Sequence, residues 1–358
     1  MSLEIGIVGL PNVGKSTLFN ALTNNSILAA NYPFATIEPN AGIVAVPDPR
    51  LKTLADIYNS NKILPATVTF IDIAGLVAGA SKGEGLGNKF LANIRQCDAI
   101  VHIVRAFEDT DVIHVADRVS PSDDIEIINT ELILADLQTI DTRLPKAIKE
   151  SKAKPALREV ASYLESLKRH LESGILLSSL PSLNKDYVAD LHLLTVKPVI
   201  YVFNVDEDAL INDGKKADLA ALVAPNKAIF VYAKLEDEIK GLDEVDASEL
   251  LESYGVKEAG LSKMINAAYD ILGLQSYLTA GPKEVRAWTI KKGSTAPQAA
   301  GVIHTDFERG FIAAQIIDYT DLVSAGSEIN AKQQGKIRTE GKEYVMRPDD
   351  IVEFRFNV

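Results

Sequence analysis

The sequence predicts an α/β protein that is built on a mainly parallel sheet, and the pattern of its apolar residues is the first reason. Several apolar runs are too continuous to alternate between core and solvent, which is typical of parallel strands buried on both faces. These runs are Leu3–Gly9, Val68–Ile73, Ala99–Val104, Pro198–Asn204 and Ala228–Tyr232. Segments with helical spacing lie between them, and the first run leads through a turn into a helical segment, Ser16–Leu22. Because ligands bind at the carboxyl ends of the strands in such folds, we expect the functional residues there.

The composition is that of a globular protein with more than one domain. A chain of 358 residues exceeds what one hydrophobic core usually serves, so we expect two or three domains. The 37 basic and 49 acidic side chains give a net charge of −12, which argues against a protein that coats nucleic acid over its whole surface. A single cysteine excludes a disulfide framework, and no apolar run approaches the roughly 20 residues that span a bilayer. The N-terminal run lacks the basic region of a signal peptide, so we expect a cytoplasmic protein without a membrane partner.

An antiparallel helical hairpin, a short coiled coil, is predicted between the third and fourth apolar runs. Apolar residues recur there every three or four positions in two series, Ile133, Leu137, Ile140, Leu144 and Ile148, then Leu157, Val160, Leu164, Leu167 and Leu171. The link near Ser151–Pro155 is polar, Pro155 suits the first turn of a helix, and Gly174 suits its end. Pro145 is expected to kink or interrupt the first arm.

The tip of this hairpin is the most basic part of an acidic chain. Between positions 143 and 158 there are six basic side chains against Glu150 alone: Arg143, Lys146, Lys149, Lys152, Lys154 and Arg158. A basic patch of this kind is a candidate contact for RNA or for the ribosome. The alternative is that these lysines are simply solvated.

A small α+β module with a mixed sheet is predicted after Gly281-Pro282. Its expected elements are strands at Val285–Ile290, Ala314–Ile317 and Ile351–Phe356, a helix near Pro297–Ile303, and a hairpin turn at Glu340-Gly341-Lys342 before Glu343–Met346. The predicted domain boundaries are 1–129 with 197–280 for the first domain, 130–196 for the inserted hairpin and 281–358 for the C-terminal module.

The strongest motif is the phosphate-binding sequence G-x-x-x-x-G-K-S at Gly9–Ser16. It follows an apolar strand and precedes a helix, as a P-loop requires. Its glycines let backbone N–H groups turn toward phosphates, and the following helix adds its positive end. Lys15 is expected to contact the β/γ-phosphate oxygens, and the Ser16 hydroxyl to ligate Mg²⁺. The fold is therefore predicted to be a P-loop NTPase of the G-domain type.

Two further elements predict a nucleotide hydrolase that acts as a switch. Asp72 and Gly75 form a D-x-x-G motif at the end of a strand, where Asp72 reaches Mg²⁺ through water and the Gly75 N–H meets the γ-phosphate. Thr36 lies in a loop where a threonine ligates Mg²⁺ and senses the γ-phosphate, although it is also compatible with an ordinary surface loop. Lys15, Thr36 and Gly75 are the predicted catalytic residues. Leu76 stands where signalling GTPases have the glutamine that orients water, so slow intrinsic hydrolysis is expected.

The residues that choose the base differ from the guanine pattern N-K-x-D. The chain reads Asn204-Val205-Asp206-Glu207 after its fourth apolar run, so valine replaces lysine and the longer glutamate replaces aspartate. A displaced carboxylate loses its paired hydrogen bonds to guanine, while the Asn204 amide and the Val205 backbone can serve adenine. ATP is therefore predicted to be preferred over GTP, with the alternative that Asp206 slips by one position to serve guanine. The predicted base contacts are Asn204, Val205, Glu207, Ala233 and Lys234.

With these motifs in this order, the chain resembles the YchF (Obg-like) ATPases of the Obg branch of P-loop GTPases over essentially its whole length. The matching stretches are GLPNVGKST at 9–17, NYPFATIEPN at 31–40, DIAGLVAGASKGEGLGNKF at 72–90, NVDE at 204–207, KEVRAWTIKKGSTAPQAAGVIHTDFERGFI at 283–312 and FRFNV at 354–358. The resemblance implies a coiled-coil insertion, a C-terminal TGS module of β-grasp type, ATP hydrolysis, and association with ribosomes in translation or stress responses. The expected ribosomal contact is the large subunit.

The resemblance also implies roles for individual residues. The implied phosphate ligands are Asn12, Val13, Gly14, Lys15, Ser16 and Thr17. It further implies Ser16 and Thr36 as Mg²⁺ ligands and Val205 as an adenine contact. Asn12 matches a position where related nucleotidases hold K⁺, and equal hydrolysis rates in Na⁺ and K⁺ buffers would exclude that cation here. Two other functions stay open: an Obg-type GTPase, and a nucleotide-stabilised scaffold that binds RNA or ribosomes.

Overall fold

The computed structural model describes residues 3–24, 40–73, 86–109 and 118–357. The chain divides into two compact units, each made of two segments. The first unit comprises Met1–Gly42 and Thr69–Met264, and the second comprises Ile43–Val68 and Ile265–Val358.

The strands and helices follow one another as an α/β chain does. The strands are β1 (Glu4–Val8), β2 (Ala41–Ala45), β3 (Ile63–Leu64), β4 (Thr67–Asp72), β5 (Ala99–Ala106), β6 (Val199–Val205), β7 (Lys227–Val231), β8 (Leu274–Ala280), β9 (Val285–Lys291), β10 (Phe311–Asp318), β11 (Arg338–Glu340) and β12 (Asp350–Phe356). The helices are α1 (Lys15–Asn24), α2 (Arg50–Tyr58), α3 (Leu86–Gln96), α4 (Pro121–Ala153), α5 (Arg158–Glu172), α6 (Lys185–Val188), α7 (Glu207–Ile211), α8 (Asp213–Ala221), α9 (Ala233–Ile239), α10 (Glu244–Ser253), α11 (Gly260–Ile271), α12 (Ala296–Ile303), α13 (Thr305–Arg309), α14 (Tyr319–Ala325) and α15 (Glu328–Gln333).

A six-stranded sheet of order β2-β4-β1-β5-β6-β7 carries the predicted site. β1 runs parallel to β4 and β5, β5 runs parallel to β6, and β6 runs parallel to β7. Every residue of β6 and nearly every residue of β5 is buried, as strands covered on both faces should be. This confirms the predicted mainly parallel sheet. It also places the carboxyl ends of β1, β5 and β6 side by side.

The inserted helical hairpin is present, and its first arm is longer and more regular than predicted. α4 has 33 residues and continues through Pro145, so the expected interruption is wrong. Pro145 cannot bond the Asp141 carbonyl, but both residues are exposed, so water can satisfy that carbonyl. α5 ends at Glu172, and Gly174 follows it with a φ of 79°. Neither α4 nor any other helix in the described ranges has the length and apolar content that crossing a bilayer requires.

The hairpin holds together through an apolar seam and one buried carboxylate. Leu164, Leu167 and Leu171 of α5 belong to the same buried cluster as Ile133 and Ile140 of α4. Asp136, which is fully buried on α4, accepts hydrogen bonds from the backbone N–H groups of Leu194 and Thr195, at 2.8 and 2.7 Å, and from the Thr195 hydroxyl at 2.6 Å. Burial raises the pKa of this carboxyl, and the three hydrogen bonds oppose that shift. The long helix is thereby tied to the segment that leads into β6.

The second unit contains the predicted α+β module with a mixed sheet. Its six strands have the order β11-β10-β12-β8-β9-β3. β10 pairs antiparallel with β11 and β12, β8 pairs antiparallel with β9, and β12 runs parallel to β8. The core of this unit includes Tyr277 and Ile316 of the sheet and Ala299 of α12, and the Tyr277 hydroxyl donates a 2.9 Å hydrogen bond to the Ala299 carbonyl. β3 and β8 were not predicted from the sequence.

The segment 43–68 belongs to this second unit although it lies early in the chain. Arg50 forms an ion pair of 2.8 Å with Asp349, and Tyr58 donates a hydrogen bond of 3.1 Å to Glu328. β3 pairs in parallel with β9, and the N–H of Val285 donates to the carbonyl of Lys62 at 2.9 Å. In sequence, this segment lies between the stretches that contain Thr36 and Gly75. The boundary at residue 281 stays a prediction, since the compact unit begins well before it and includes this early segment.

The predicted C-terminal hairpin at Glu340-Gly341-Lys342 is wrong. β11 does end at Glu340, but it pairs with β10 and no strand forms at Glu343–Met346. The backbone of that segment bonds instead to the turn before α12. There the Ala296 N–H donates to the Tyr344 carbonyl at 2.8 Å, and the Met346 N–H donates to the Ser294 carbonyl at 3.0 Å. A turn signal in the sequence does not reveal which partner its flanks will find.

Replacing Asp136 with alanine is expected to lower the free energy of unfolding by about 3 kcal/mol, because three buried donors lose their acceptor. The matched control is Asp141→Ala on the same helix, where an exposed carboxylate pairs with Lys168. Denaturant unfolding followed by circular dichroism measures both variants. Equal midpoints for the two variants would contradict the proposed role of Asp136.

Candidate nucleotide-binding site

The predicted P-loop connects the carboxyl end of β1 to the amino end of α1. α1 begins at Lys15, and the N–H of Leu18 donates to the Gly14 carbonyl at 3.0 Å, so the first helical turn starts directly at the loop. Asn12 and Gly14 have φ values of 63° and 90°, and positive φ is a conformation that asparagine and glycine tolerate. The helix therefore directs its positive end into the concave side of the loop, where it favours an anion.

Gly14 also allows a close approach to Asn204 at the end of β6. A Cβ atom at position 14 would lie 2.3 Å from the Asn204 Nδ2 atom, so any side chain there would force Asn204 out of its present position. That nitrogen donates a hydrogen bond of 3.0 Å to the Val13 carbonyl. The Asn204 Oδ1 atom accepts a hydrogen bond of 3.3 Å from the N–H of Ala233. One buried amide thus ties the phosphate loop to the start of α9.

Lys15 and Asp72 form an ion pair across the phosphate end of the site. The Lys15 ammonium donates to the Asp72 carboxylate, and the two side chains are 11% and 21% exposed. Asp72 is the last residue of β4, and its N–H donates to the Asn40 carbonyl at 2.8 Å. The structure therefore brings together the P-loop lysine and the aspartate of the D-x-x-G motif, as the sequence predicts. Thr36, Gly75 and Leu76 lie outside the described residues.

A pocket of about 410 Å³ opens beside the P-loop at the carboxyl ends of β1, β5 and β6. The residues that line it are Asn12, Gly14, Thr17, Phe107, Glu108, Asp109, Asn204, Val205, Asp206, Tyr232, Ala233, Lys234 and Asp237. A volume of this size lies within the range of small-molecule and cofactor sites. Most of the predicted base contacts are among these residues.

The charges of the site are separated along its length. At one end lie the amino end of α1, which suits phosphate groups, and Lys15, whose charge is paired with Asp72 in this structure. The rest of the pocket is mostly acidic, since Glu108, Asp109, Asp206 and Asp237 line it together with the basic Lys234. Acidic groups attract N–H donors such as the amino group of a purine base, and they repel phosphate. A nucleotide is thus favoured in one orientation, with its phosphates at the P-loop.

The structure changes the roles of two predicted base contacts. The Asn204 amide bonds to Val13 and Ala233, so this residue anchors the pocket that it lines, and its contact to the base stays a prediction. Glu207 is exposed in the first turn of α7 and is not among the residues that line the pocket. The pKa of the Tyr232 hydroxyl, which lines the pocket, is raised mainly by burial and next by the charge of Glu207.

Asp206, the alternative guanine ligand, caps its own helix. Its carboxylate accepts a 2.8 Å hydrogen bond from the N–H of Ala209, and α7 begins with the next residue. One carboxylate oxygen is therefore already engaged within the protein. A forked contact to guanine would compete with this cap.

The helix that carries Ala233 and Lys234 is fixed by a buried glutamate. Glu236 of α9 is 6% exposed and accepts hydrogen bonds from the N–H groups of Gly260 and Leu261, at 2.6 and 3.3 Å. Burial raises the pKa of this carboxyl, and the two backbone hydrogen bonds lower it. The wall of the pocket formed by α9 is thus held against the start of α11.

The sequence analysis missed the aromatic walls of the pocket. Phe107 directly follows the end of β5, and Tyr232 directly follows β7. Their signal in the sequence is position alone, since each aromatic residue stands just beyond the carboxyl end of a parallel strand. A single sequence does not distinguish such a residue from an aromatic residue of the core.

The residues present are chemically suited to Mg²⁺. Ser16, in the first turn of α1, offers a hydroxyl, and Asp72 offers a carboxylate at the end of β4. Mg²⁺ prefers hard oxygen ligands and usually keeps several waters beside substrate phosphates. Among the described residues, no group of three or more His, Cys, Asp and Glu side chains could hold a metal ion without such additional ligands.

Comparison with known proteins identifies the family. The family described as "50S ribosome-binding GTPase" matches residues 4–135, and the C-terminal YchF-GTPase family, described as a protein of unknown function, matches residues 274–357. A ribosome-binding ATPase YchF from Haemophilus ducreyi is 51% identical over 365 residues, and one from Bacillus subtilis is 50% identical over 367 residues. In both comparisons the match covers 100% of this chain and of the relative. The chain belongs to the YchF family.

A solved structure confirms the YchF fold. The YchF GTPase of Schizosaccharomyces pombe is 39% identical, the match covers 99% of this chain and 98% of that one, and the TM-score is 0.87. The names of these YchF relatives differ in the nucleotide that they imply. The bacterial relatives are called ATPases, and the yeast structure is called a GTPase.

Gly14→Ala is expected to lower nucleotide affinity by more than about 100-fold, because the new methyl group clashes with the Asn204 amide at a positive φ. Gly281→Ala is the control, since a Cβ there meets nothing within 4 Å. Calorimetric titration of each variant gives the affinity, and thermal unfolding without nucleotide shows that the variant is folded. Unchanged affinity in a folded Gly14→Ala protein would show that the bridge to Asn204 is dispensable.

Proposed function

We propose that this YchF protein is a ribosome-binding, Mg²⁺-dependent ATPase that uses the nucleotide state as a switch. The observation that carries the proposal is the pocket beside the P-loop, which lies next to the start of α1 and is lined elsewhere by aromatic and mostly acidic residues. The names of the full-length relatives support both the ribosome and ATP. The reaction is the hydrolysis of ATP to ADP and phosphate.

The preference for ATP over GTP is supported by what surrounds the base. Val205 occupies the position of the lysine in the guanine pattern and is 1% exposed, so it offers the base a backbone edge and an apolar wall. Glu207 lies outside the pocket lining, and Asp206 caps α7. No carboxylate of this motif is thus arranged for the forked contact to guanine, whereas the Val205 backbone can serve adenine.

Lys15, Ser16 and Asp72 have distinct roles in the proposed reaction. When the nucleotide binds, Lys15 gives up its ion pair with Asp72 and neutralises the β- and γ-phosphates. Asp72 then becomes available to hold Mg²⁺ through water. Ser16 contributes its hydroxyl to the ion, which supplies charge neutralisation for the phosphates when bound. Thr36 and Gly75 remain the proposed γ-phosphate sensors, and Asn12 remains the proposed ligand of K⁺. Leu76 cannot orient water by its side chain, so intrinsic turnover is slow.

The proposed ribosome contacts are the hairpin tip and the C-terminal module. Lys146, Lys149, Lys152, Lys154 and Arg158 are exposed at the tip. Arg143 is paired with Glu150 at 3.0 Å, so it adds little to the patch. Exposed lysines on an acidic protein are suited to RNA phosphates, and they make the large ribosomal subunit or its RNA the proposed partner. The cytoplasm is the proposed location, and translation or its regulation under stress is the proposed process.

ATP is expected to bind at least about tenfold more tightly than GTP, since the pocket has no forked acceptor for guanine. Calorimetric titration of the nucleotide-free protein with each nucleotide and Mg²⁺ measures the ratio. Titration with non-hydrolysable analogues serves as the control against turnover during the experiment. Tighter binding of GTP would replace the proposed ATPase by an Obg-type GTPase.

Binding to ribosomes is expected to depend on both the nucleotide and the hairpin tip. The Lys152→Glu/Lys154→Glu variant should lower co-sedimentation with ribosomes by about tenfold, because charge reversal repels RNA phosphate, and should leave ATP hydrolysis unchanged. Lys227→Glu, an exposed lysine in the first unit, is the control for charge reversal as such. An unchanged yield of ribosome-bound protein would remove the tip from the interface.

The same assay separates a switch from a scaffold. Lys15→Ala removes the phosphate-binding cation, so a switch should lose the difference in ribosome binding between the ATP and ADP states. A scaffold would bind ribosomes equally in all states and would retain its partners in this variant. That second outcome would make hydrolysis incidental to the function.

A further inference from the structure

Arg105 is a buried charge that the proposed function has not used. It lies next to the end of β5, and 1% of its surface is exposed. A charged side chain is rarely buried to this extent unless it is held by specific partners, because its desolvation is costly. An aliphatic residue would fill the same space in the sheet. The burial of Arg105 is explained by the contacts of its guanidinium.

Those contacts are with the pocket wall that follows β5. The Arg105 Nε atom donates a hydrogen bond of 3.2 Å to the Phe107 carbonyl, and its Nη2 atom donates one of 3.2 Å to the Asp109 carbonyl. Its guanidinium carbon also lies 4.5 Å from the centroid of the Phe107 ring. Phe107, Glu108 and Asp109 all line the pocket, whereas Arg105 does not. One planar group thus holds both the backbone and the aromatic ring of this wall.

A second wall of the pocket, at the start of α9, is held by a residue of the neighbouring strand. Arg105 of β5 pairs with Asn204 of β6 in the parallel sheet. Asn204 ties Val13 of the P-loop to Ala233 of α9, as described above. Arg105 and Asn204, which are adjacent in the sheet, therefore each hold one wall of the base cleft.

We propose that Arg105 is the positioning residue for the purine base. It holds the Phe107–Asp109 wall at the distance from α9 that a planar base requires, without touching the nucleotide. The inference rests on the proposed function only in assigning the pocket to a nucleotide base. Lysine could not replace it, because a single ammonium cannot bond both carbonyls and stack on the ring at once.

Arg105 should affect base binding and leave phosphate binding intact. In Arg105→Met the wall loses its anchor, so ATP affinity is expected to fall about tenfold. The affinity for inorganic tripolyphosphate with Mg²⁺, which has no base, should stay within about twofold. In steady-state assays KM for ATP should rise by a similar factor while kcat changes little. Calorimetric titration of both ligands against the full-length protein gives the comparison.

A double-mutant cycle tests whether Arg105 acts through Phe107. Phe107→Leu alone should lower ATP affinity and spare tripolyphosphate. The Arg105→Met/Phe107→Leu protein should bind ATP about as weakly as the weaker single variant, since both changes disrupt one wall. Should Arg105→Met fail to fold, as judged by thermal unfolding, Arg105→Lys takes its place in the cycle. Tyr201→Phe, which removes a buried hydroxyl that contacts Asn129 on α4, is the control and should bind both ligands normally.

The outcomes distinguish this inference from the proposed function. Equal loss of ATP and tripolyphosphate affinity in Arg105→Met would reduce Arg105 to a structural residue, and unchanged ATP affinity would overturn its role altogether. Independent, additive effects of Arg105→Met and Phe107→Leu would also overturn it. If the unmodified protein binds GTP as tightly as ATP, the proposed base preference fails, but the comparison with tripolyphosphate still decides the role of Arg105.

Discussion

The site depends on the absence of a side chain at Gly14. Because no Cβ intervenes, the Asn204 amide can reach the Val13 carbonyl and hold the phosphate loop against β6. The same amide receives the N–H of Ala233, so the loop that binds phosphate and the helix that closes the base cleft share one anchor. Buried hydrogen bonds of this kind are costly to break, because each partner is left without water. The P-loop and the start of α9 are thus held in place by the same residue.

The charge distribution of the site follows from that geometry. The proposed phosphate end carries Lys15 and the start of α1, while the proposed base end is bordered by four carboxylates and by Lys234. The ion pair between Lys15 and Asp72 satisfies both groups. In the proposed function, nucleotide binding gives each a new partner, phosphate for the lysine and a cation for the aspartate. Binding can therefore change the end of β4, which leads directly into the D-x-x-G segment.

The second unit incorporates a segment that adjoins both regions of the chain proposed to sense the γ-phosphate. Residues 43–68 contribute β3 and α2 to it through the pairing with β9 and the ion pair of Arg50 with Asp349. The C-terminal module is consequently not a simple appendage that begins at one point of the chain. Its core and the nucleotide motifs are connected by short lengths of backbone.

The sequence by itself determined the P-loop, the parallel strands and the hairpin, because each depends on a local pattern. The P-loop has the motif G-x-x-x-x-G-K-S, the strands are continuous apolar runs, and the hairpin has apolar residues every three or four positions. It also indicated Asp72, since a strand end places that carboxylate near the loop. Only the tertiary structure decided that Asn204 positions the pocket, that Phe107 forms a wall, and that 43–68 joins the second unit. Those outcomes depend on partners far apart in the chain, 191 residues in the case of Asn204 and Val13. Local pattern determines which element forms, whereas the competition among distant hydrogen-bond partners decides what each side chain does.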